Sequence, residues 1–171
     1  MLEMKHALLV LGCWLGMTLP LSAQRPEAIH FSDFEALTQI ENDTLYVLNF
    51  WSTWCRPCVA EMPYFDRVQR ELEGQKVKVI FISLDFKNQY DSHLVPFLAK
   101  KKLYSKVLFL DEPKFDGYID KVDPSWSGSI PATLFVQHSK GIRQFHEGDF
   151  TYESLISTIN SLISTKENEK D

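Results

Sequence analysis

The 171-residue sequence predicts one α/β domain, a mixed sheet with helices on both faces. Three observations lead to this fold class. Apolar runs typical of buried strands alternate with segments of helical periodicity along most of the chain. The last two predicted strands are separated only by a short turn, which indicates an antiparallel hairpin. The length and the 44% hydrophobic content suit a single domain with a packed interior.

The first half of the chain supplies two of these strands and two helices. Ser32 and Glu35 have the S-x-x-E spacing of a capping box, which predicts a short helix over 32–40. "LYVLNFW" (45–51) is a continuous apolar run and predicts a central strand that is covered on both faces. Apolar residues then recur every three or four positions, which indicates a helix that Gly74 ends.

The second half repeats the alternation and closes with the hairpin. The predicted elements are a strand at 77–85, a helix at 92–103, a short strand from Val107, a short helix at 115–121, strands at 130–136 and 141–146, and a last helix capped by Thr151. The resulting order is α-β-α-β-α-β-α-β-β-α. We assign residues 24–165 to the domain and 166–171 to a polar tail.

The first 23 residues differ from the rest of the chain and predict an export signal. A weakly basic start leads into "ALLVLGCWLGMTLPLSA", with cleavage expected after Ala23. An uncleaved anchor is a second interpretation, although the apolar run is short for a bilayer span of about 20 residues. "VLGC", ending at Cys13, allows a lipoprotein signal as a third. We therefore predict an exported, periplasmic protein, with a membrane tether through an uncleaved signal or a lipid as the alternative.

Charge and histidine spacing argue against several classes of function. The net charge is −5 and there is no run of Lys or Arg, which disfavours nucleic acid as a partner. Zinc needs four ligands, but the mature chain keeps one cysteine pair, and its histidines lack ligand spacing. Covalent haem attachment needs a histidine directly after the pair, where this chain has Val59. We expect no metal and no cofactor.

"WCRPC" (54–58) carries two cysteines at the C-x-x-C spacing, between a predicted buried strand and a predicted helix. The unpaired N–H groups and partial positive charge of a helix N-terminus stabilise the thiolate of Cys55. We expect Cys55 to meet solvent at this positive end of the helix. Cys58 lies one turn further on, where it can close a disulfide with Cys55. Pro57 suits the first helical turn and Arg56 adds positive charge. Because a disulfide across one turn closes a very small loop, the spacing favours redox exchange over a structural staple.

Two segments of the sequence resemble the thioredoxin superfamily. They are "VLNFWSTWCRPC" (47–58) and "SIPATLFV" (129–136), and within the superfamily they are similar to the exported TlpA/ResA branch of disulfide reductases. The resemblance spans residues 30–165. It implies a thioredoxin-like fold with an N-terminal helix, and it identifies the helix and strand at 92–110 as the insertion that marks this branch.

The resemblance also implies roles for single residues. Pro131 matches the cis-proline that faces the cysteine pair, an arrangement that leaves the backbone of Ile130 free to pair with a partner peptide. Pro63 matches a helix-kinking proline. Asn49 stands where classical thioredoxins have a buried Asp, and Glu61 follows the second cysteine as is common in the TlpA/ResA branch. Glu61 either accepts the proton of that cysteine through a water or merely suits the helix dipole.

The three tryptophans of the predicted domain divide into one candidate for partner contact and two for packing. We expect Trp54 to shield the disulfide and contact partners, whereas Trp51 belongs to the predicted central strand. Trp126 precedes the expected cis-proline, and an anchor for that loop is favoured over a wall of a partner groove.

The resemblance implies an exported thiol–disulfide oxidoreductase in which Cys55 forms a mixed disulfide that Cys58 resolves. Its direction would be reduction of disulfides in exported proteins, with apocytochrome c as one candidate substrate and a membrane thiol carrier as electron donor. The alternatives are a thiol oxidase or isomerase of the same fold and a binding module without turnover. A peroxidase is disfavoured because the P-x-x-x-[TS]-x-x-C pattern is absent.

Overall fold

The computed structural model describes residues 25–112 and 117–164, which form a six-stranded mixed sheet with helices on both faces. The strands are β1 (Glu27–Ile29), β2 (Leu45–Trp51), β3 (Val77–Ser83), β4 (Lys106–Leu110), β5 (Ala132–Gln137) and β6 (Ile142–Glu147). The helices are α1 (Phe31–Thr38), α2 (Arg56–Glu71), α3 (Val95–Lys101), α4 (Ile119–Val122) and α5 (Tyr152–Ser164). The predicted fold class is confirmed.

The sheet has the strand order β1-β4-β3-β2-β5-β6. The first four strands in this order run parallel, and β5 is antiparallel to both of its neighbours. The hairpin of β5 and β6 is the one that the sequence predicts. The parallel strands end at a common edge, and at this edge the loops after β2 and β3 lie side by side.

The strand β2 is buried along its whole length, as its continuous apolar run predicts. Because side chains alternate along a strand, they feed two cores. Leu45, Val47 and Trp51 pack with α2 and α5 on one face. Tyr46, Leu48 and Phe50 pack with α1 on the other face. Both cores therefore depend on this single strand.

The helix α1 begins earlier than predicted, and its cap involves other residues. His30 is the N-cap, and its backbone N–H donates to Asp33 Oδ2 at 2.9 Å. The predicted capping box of Ser32 and Glu35 is therefore wrong. The physical reason is that Phe31, in the first turn, is already buried in the core beside α1. The preceding strand β1 has only three residues, too few for a recognisable alternation.

The helical segment predicted at 92–103 also begins earlier. A 3₁₀ turn (Lys87–Gln89) and a π turn (Tyr90–Leu94) precede α3. The Tyr90 hydroxyl donates to the Pro26 carbonyl at 2.6 Å, which anchors the extra turn to the chain before β1. Local periodicity does not reveal a contact over this sequence distance, so the earlier start of the helical segment was not predictable from it.

The remaining predictions concern the last helix and the chain termini. Thr151 caps α5 as predicted: its Oγ1 accepts from Ser154 N at 3.2 Å, and Ser154 Oγ accepts from Thr151 N at 3.0 Å. The helix predicted at 115–121 corresponds to α4, which spans Ile119–Val122. Residues 113–116 lie outside the described residues. The predicted signal and the polar tail lie outside them as well. No helix within 25–112 and 117–164 has the length and apolar character to cross a membrane.

Candidate active site

Cys55 and Cys58 form a disulfide at the start of α2, with 5.3 Å between their Cα atoms. Cys55 is the N-cap residue of the helix, and its Sγ accepts from the backbone N–H of Cys58 at 3.3 Å. The turn that leads into the helix is closed by Cys55 N, which donates to Ser52 O at 3.2 Å. Arg56 and Pro57 follow in the first turn, and both are exposed. The predicted pairing and its position are confirmed.

Cys55 is less accessible than the sequence suggests. It retains 6% exposure and Cys58 retains none. The expectation that Cys55 lies open to solvent is therefore wrong for this oxidised structure. The reason is the loop before β5, whose Ile130 carbonyl oxygen lies 3.7 Å from Cys55 Sγ. Cys55 is still the more accessible member of the pair, and the residues on either side of it, Trp54 and Arg56, are exposed.

The loop before β5 brings the predicted proline to the cysteines. The Ile130–Pro131 peptide bond is cis, as the resemblance implies. Pro131 is buried, and its carbonyl accepts from Gly148 N at 2.9 Å. Trp126 Nε1 donates to Ser129 O at 2.8 Å, which ties the loop to a buried ring. The fold therefore brings this loop next to Cys55, although the two lie more than 70 positions apart in the sequence.

An apolar cleft adjoins the disulfide. It has a volume of about 310 Å³ and is lined by Trp54, Leu84, Phe86, Gly128 and Ile130. Trp54 is 55% exposed and stacks on Phe86, which is 61% exposed, with 6.2 Å between ring centroids. Trp54 is thus an exposed ring of this cleft, and its contact with partners stays a prediction. Phe86 was not predicted, although its position after a strand parallel to β2 places it at the same sheet edge.

Glu61 is a buried carboxyl on α2, one turn beyond Cys58, and it is only 2% exposed. Its Oε1 accepts from Asn49 Nδ2 at 2.9 Å, and its Oε2 accepts from Phe150 N at 2.7 Å. Burial raises the pKa of Glu61 from 4.5 to about 7, although these two hydrogen bonds act in the opposite direction. Glu61 is buried and lies beyond the first turn of α2, where the dipole effect has largely fallen off, so the interpretation that it merely suits the helix dipole is wrong.

Glu61 also lines a second cleft, which begins at the first turn of α2. The cleft has a volume of about 410 Å³, and its walls include Arg56, Tyr64, Asp149 and Phe150. A nearly buried carboxyl that borders an open cleft can exchange its proton with solvent. Asn49, which donates to Glu61, is itself held in place because its Nδ2 also donates to Thr133 Oγ1 at 3.1 Å. The sequence indicates Asn49 as a departure from classical thioredoxins, but not as a partner of Glu61.

The profile of the family described as AhpC/TSA matches residues 21–145, which is most of the chain. The chain belongs to the AhpC/TSA family. Its similarity to "Thiol-disulfide oxidoreductase ResA" of Oceanobacillus iheyensis is 29% identity over 124 residues, covering 68% of this chain and 56% of that protein. It is also 25% identical over 109 residues to "Thioredoxin-like protein YneN" of Bacillus subtilis, covering 64% and 59%. This AhpC/TSA chain thus spans less than two thirds of the length of these relatives.

Solved structures give the same fold. The thioredoxin-related protein from Neisseria meningitidis serogroup B superposes with a TM-score of 0.62 at 22% identity, over 73% of this chain and 88% of that one. The thiol:disulfide interchange protein from Chlorobium tepidum TLS superposes with a TM-score of 0.59 at 15% identity, over 76% and 84%. The thioredoxin-like architecture of this AhpC/TSA chain is therefore confirmed.

Two tryptophans near the site of this AhpC/TSA chain have packing roles. Trp51 is fully buried in β2, as predicted. Trp126 is buried between Phe50 and Phe145, so its role as a loop anchor is confirmed and the partner-groove alternative is wrong. Pro63 lies inside α2, as the resemblance implies.

Proposed function

We propose that this AhpC/TSA chain is an exported thiol–disulfide oxidoreductase that reduces disulfides in exported proteins of the periplasm. One observation carries the proposal: the Cys55–Cys58 disulfide lies at the N-terminus of α2, with the Ile130 carbonyl beside Cys55. The similarity to a relative named thiol-disulfide oxidoreductase supports it. The signal-like first 23 residues support export.

The reaction begins from the reduced pair. The Cys55 thiolate attacks one sulfur of a partner disulfide, a new S–S bond forms, and the other partner sulfur leaves as a thiolate. The Cys58 thiolate then attacks Cys55 Sγ and releases the second partner sulfur. Two electrons pass from the cysteine pair to the partner, and the pair ends as the disulfide of this structure. A second dithiol, which we propose is a membrane thiol carrier, must reduce the pair again.

The geometry assigns the two cysteines different roles. Cys55 has the helix N-terminus and the Cys58 N–H as stabilising partners for a thiolate, and it is the more accessible sulfur. Cys58 is fully buried and can be reached only from within the protein. We therefore assign the attack on the partner to Cys55 and the resolving step to Cys58.

Glu61 supplies the proton acceptor that the resolving step needs. A carboxyl whose pKa is about 7 can hold and release a proton near neutral pH, where an ordinary glutamate stays ionised. Glu61 lies one turn beyond Cys58 on α2 and borders the cleft at Arg56, so the proton can leave towards solvent. We propose that Glu61 accepts the Cys58 proton as Cys58 becomes a nucleophile.

The partner is expected to bind along the loop before β5 and in the apolar cleft. Ile130 offers its backbone beside Cys55, while Trp54 and Phe86 offer exposed aromatic rings. Arg56 and Pro57 border the same end of α2 and are exposed. A partner segment that carries a disulfide can therefore contact backbone and apolar groups together.

Reduction of insulin by the purified chain, with dithiothreitol as electron source, tests the proposal. Wild type should accelerate insulin precipitation, and Cys55→Ser should abolish this activity. Cys58→Ser should block turnover and accumulate mixed disulfides through Cys55, which a non-reducing gel detects. A wild type without turnover, together with a Cys58→Ser variant that traps no partner, would favour a binding module instead.

The reduction potential decides between a reductase and an oxidase or isomerase. Equilibration with glutathione measures it for the Cys55–Cys58 pair. We expect a value at the reducing end of the range of about −270 to −120 mV spanned by thioredoxin-like pairs. A value near the oxidising end would contradict reduction as the physiological direction, whatever the insulin assay shows.

A further inference from the structure

Asp85 is a buried carboxyl at the end of β3 that the reaction described above does not use. It is 4% exposed. Both of its oxygens accept from the backbone N–H of Thr53, at 3.1 and 3.2 Å, and Oδ1 also accepts from the Thr53 hydroxyl. Ser83 Oγ donates to Oδ2 at 2.8 Å. Thr53, two residues before Cys55, thus has its backbone and side-chain donors on one carboxylate.

These hydrogen bonds join the two loops at the sheet edge. Trp51 and Ser83 are register partners at the ends of β2 and β3, and Leu84 N donates to Trp51 O at 2.8 Å. Beyond this point the strands no longer pair, and the Thr53–Asp85 contact continues the connection. The turn that carries Cys55 is therefore attached to β3 by a side chain after the backbone ladder has ended.

The residues that follow this contact are the two exposed aromatics. Trp54 follows Thr53 and Phe86 follows Asp85, and their rings lie nearly parallel, at 17°. Because each ring is one residue from the hydrogen-bonded pair, the separation of the two loops sets the separation of the rings. The same contact thus controls the position of Cys55 and the aromatic wall of the apolar cleft.

The chemistry of the contact requires a carboxylate. Burying a carboxylate is unfavourable unless its oxygens accept several hydrogen bonds, and here Thr53 and Ser83 provide them. An asparagine has one acceptor oxygen, so it cannot accept the same set. A side chain that served only to fill space would not need two acceptor atoms directed at one neighbouring residue.

We propose that Asp85 is a positioning residue for thiol–disulfide exchange, which it serves by holding the Thr53 turn. It thereby keeps Cys55 at the N-cap of α2 and Trp54 against Phe86. This inference rests on the proposed function, because it assigns a residue to the same reaction. Asp85 itself does not touch the reacting sulfurs; it acts through Thr53.

The test separates the position of the turn from the charge of the carboxyl. Thr53→Val removes one donor and keeps the carboxyl, whereas Asp85→Asn keeps the shape and removes the charge. In the reduced full-length chain, iodoacetamide alkylation of Cys55 is followed against pH by tandem mass spectrometry. If Asp85 positions the turn, both variants should raise the midpoint of this titration, by about 0.5–1 pH unit, because the N-cap contact is weakened. Alkylation at pH 6 should then slow about three- to tenfold.

Other outcomes overturn the inference. If Asp85 acts only through its charge, Asp85→Asn lowers the midpoint and Thr53→Val leaves it unchanged. If both variants lower the melting temperature without moving the midpoint, the contact is structural alone. Thr53→Ser retains both donors and should restore the wild-type midpoint. If Asp85→Asn does not fold, Thr53→Val and Thr53→Ser together still decide the question.

Asp66→Asn provides a matched control. Asp66 is also a buried carboxyl, and it accepts from the backbone N–H groups of Tyr104 and Ser105, but it lies two turns beyond Cys58 on α2. Its substitution should reduce stability without shifting the Cys55 midpoint. The alkylation needs no partner protein, so its result is independent of whether the wild type reduces insulin. Failure of the inference and failure of the proposed function are thus distinguishable.

Discussion

Glu61 is the residue in which burial most changes the expected chemistry. The unfolded chain releases its proton near pH 4.5, whereas the folded protein keeps it until about pH 7. Between these values the folded state binds more protons than the unfolded state. Stability therefore decreases as the pH rises through this window, and below it Glu61 contributes no pH dependence. Burial of Glu61 thus lowers the stability of the folded state near neutral pH, and it places a titratable group one turn beyond Cys58.

Glu61→Gln should remove this pH dependence. The free energy of unfolding of wild type minus that of the variant should fall by about 3 kcal/mol between about pH 4.5 and about pH 8, and then become level. Urea denaturation of the oxidised proteins at pH 4.5, 6, 7 and 8.5 measures the difference. Glu35→Gln, at an exposed position of α1, is the control. A difference for Glu61→Gln that is constant, or that rises with pH, would contradict the assignment.

At the scale of elements, the start of α5 supports the site from the far end of the chain. Thr151 and Ser154 satisfy each other's backbone N–H groups, so the helix begins at a defined residue. The residue before Thr151 is Phe150, whose N–H donates to Glu61. The cap of α5 and the buried carboxyl of α2 are therefore joined through one peptide segment.

Thr151→Ala should destabilise the protein by about 1 kcal/mol, because the Ser154 N–H loses its acceptor. Thermal unfolding followed by circular dichroism gives this value. Thr158→Ala is the matched control, since its hydroxyl donates to Ser154 O within the same helix and does not cap an end. Its effect should be below about 0.5 kcal/mol. Equal losses for the two variants would refute the importance of the cap.

At the scale of the whole molecule, the two cores lie on opposite faces of one sheet. Phe34 packs against Phe31 and Phe50 on the α1 face. Phe65 packs against Phe81 and Phe150 on the face of α2 and α5. Both cores use β2, which is fully buried between them. We therefore expect the two faces to unfold together.

Phe34→Ala and Phe65→Ala should each cost about 3–5 kcal/mol, because each leaves a cavity in a packed core. In both variants, near-ultraviolet and far-ultraviolet circular dichroism should report one coincident urea transition. Phe86→Ala, which removes an exposed ring, should cost much less. Separate transitions for the two spectral regions would indicate that the cores unfold independently.

Local sequence determined those features of this protein that depend on interactions between residues a few positions apart. The apolar run of β2, the C-x-x-C pair at the start of α2 and the cap at Thr151 each have short-range physical origins, and each is present as predicted. Backbone periodicity and capping chemistry act between neighbours in the chain, so the printed sequence contains their full explanation. The candidate nucleophile and its resolving partner were predictable for this reason.

Tertiary structure alone decided what surrounds those residues. The Ile130 carbonyl that covers Cys55 is 75 positions away, Phe150 is 89 from the Glu61 that it contacts, and Asp85 is 32 from Thr53. Periodicity predicts which face of a strand or helix is buried, but not which distant group lies against it. Accessibility and the pKa depend on those distant groups, since desolvation and hydrogen bonding act through space.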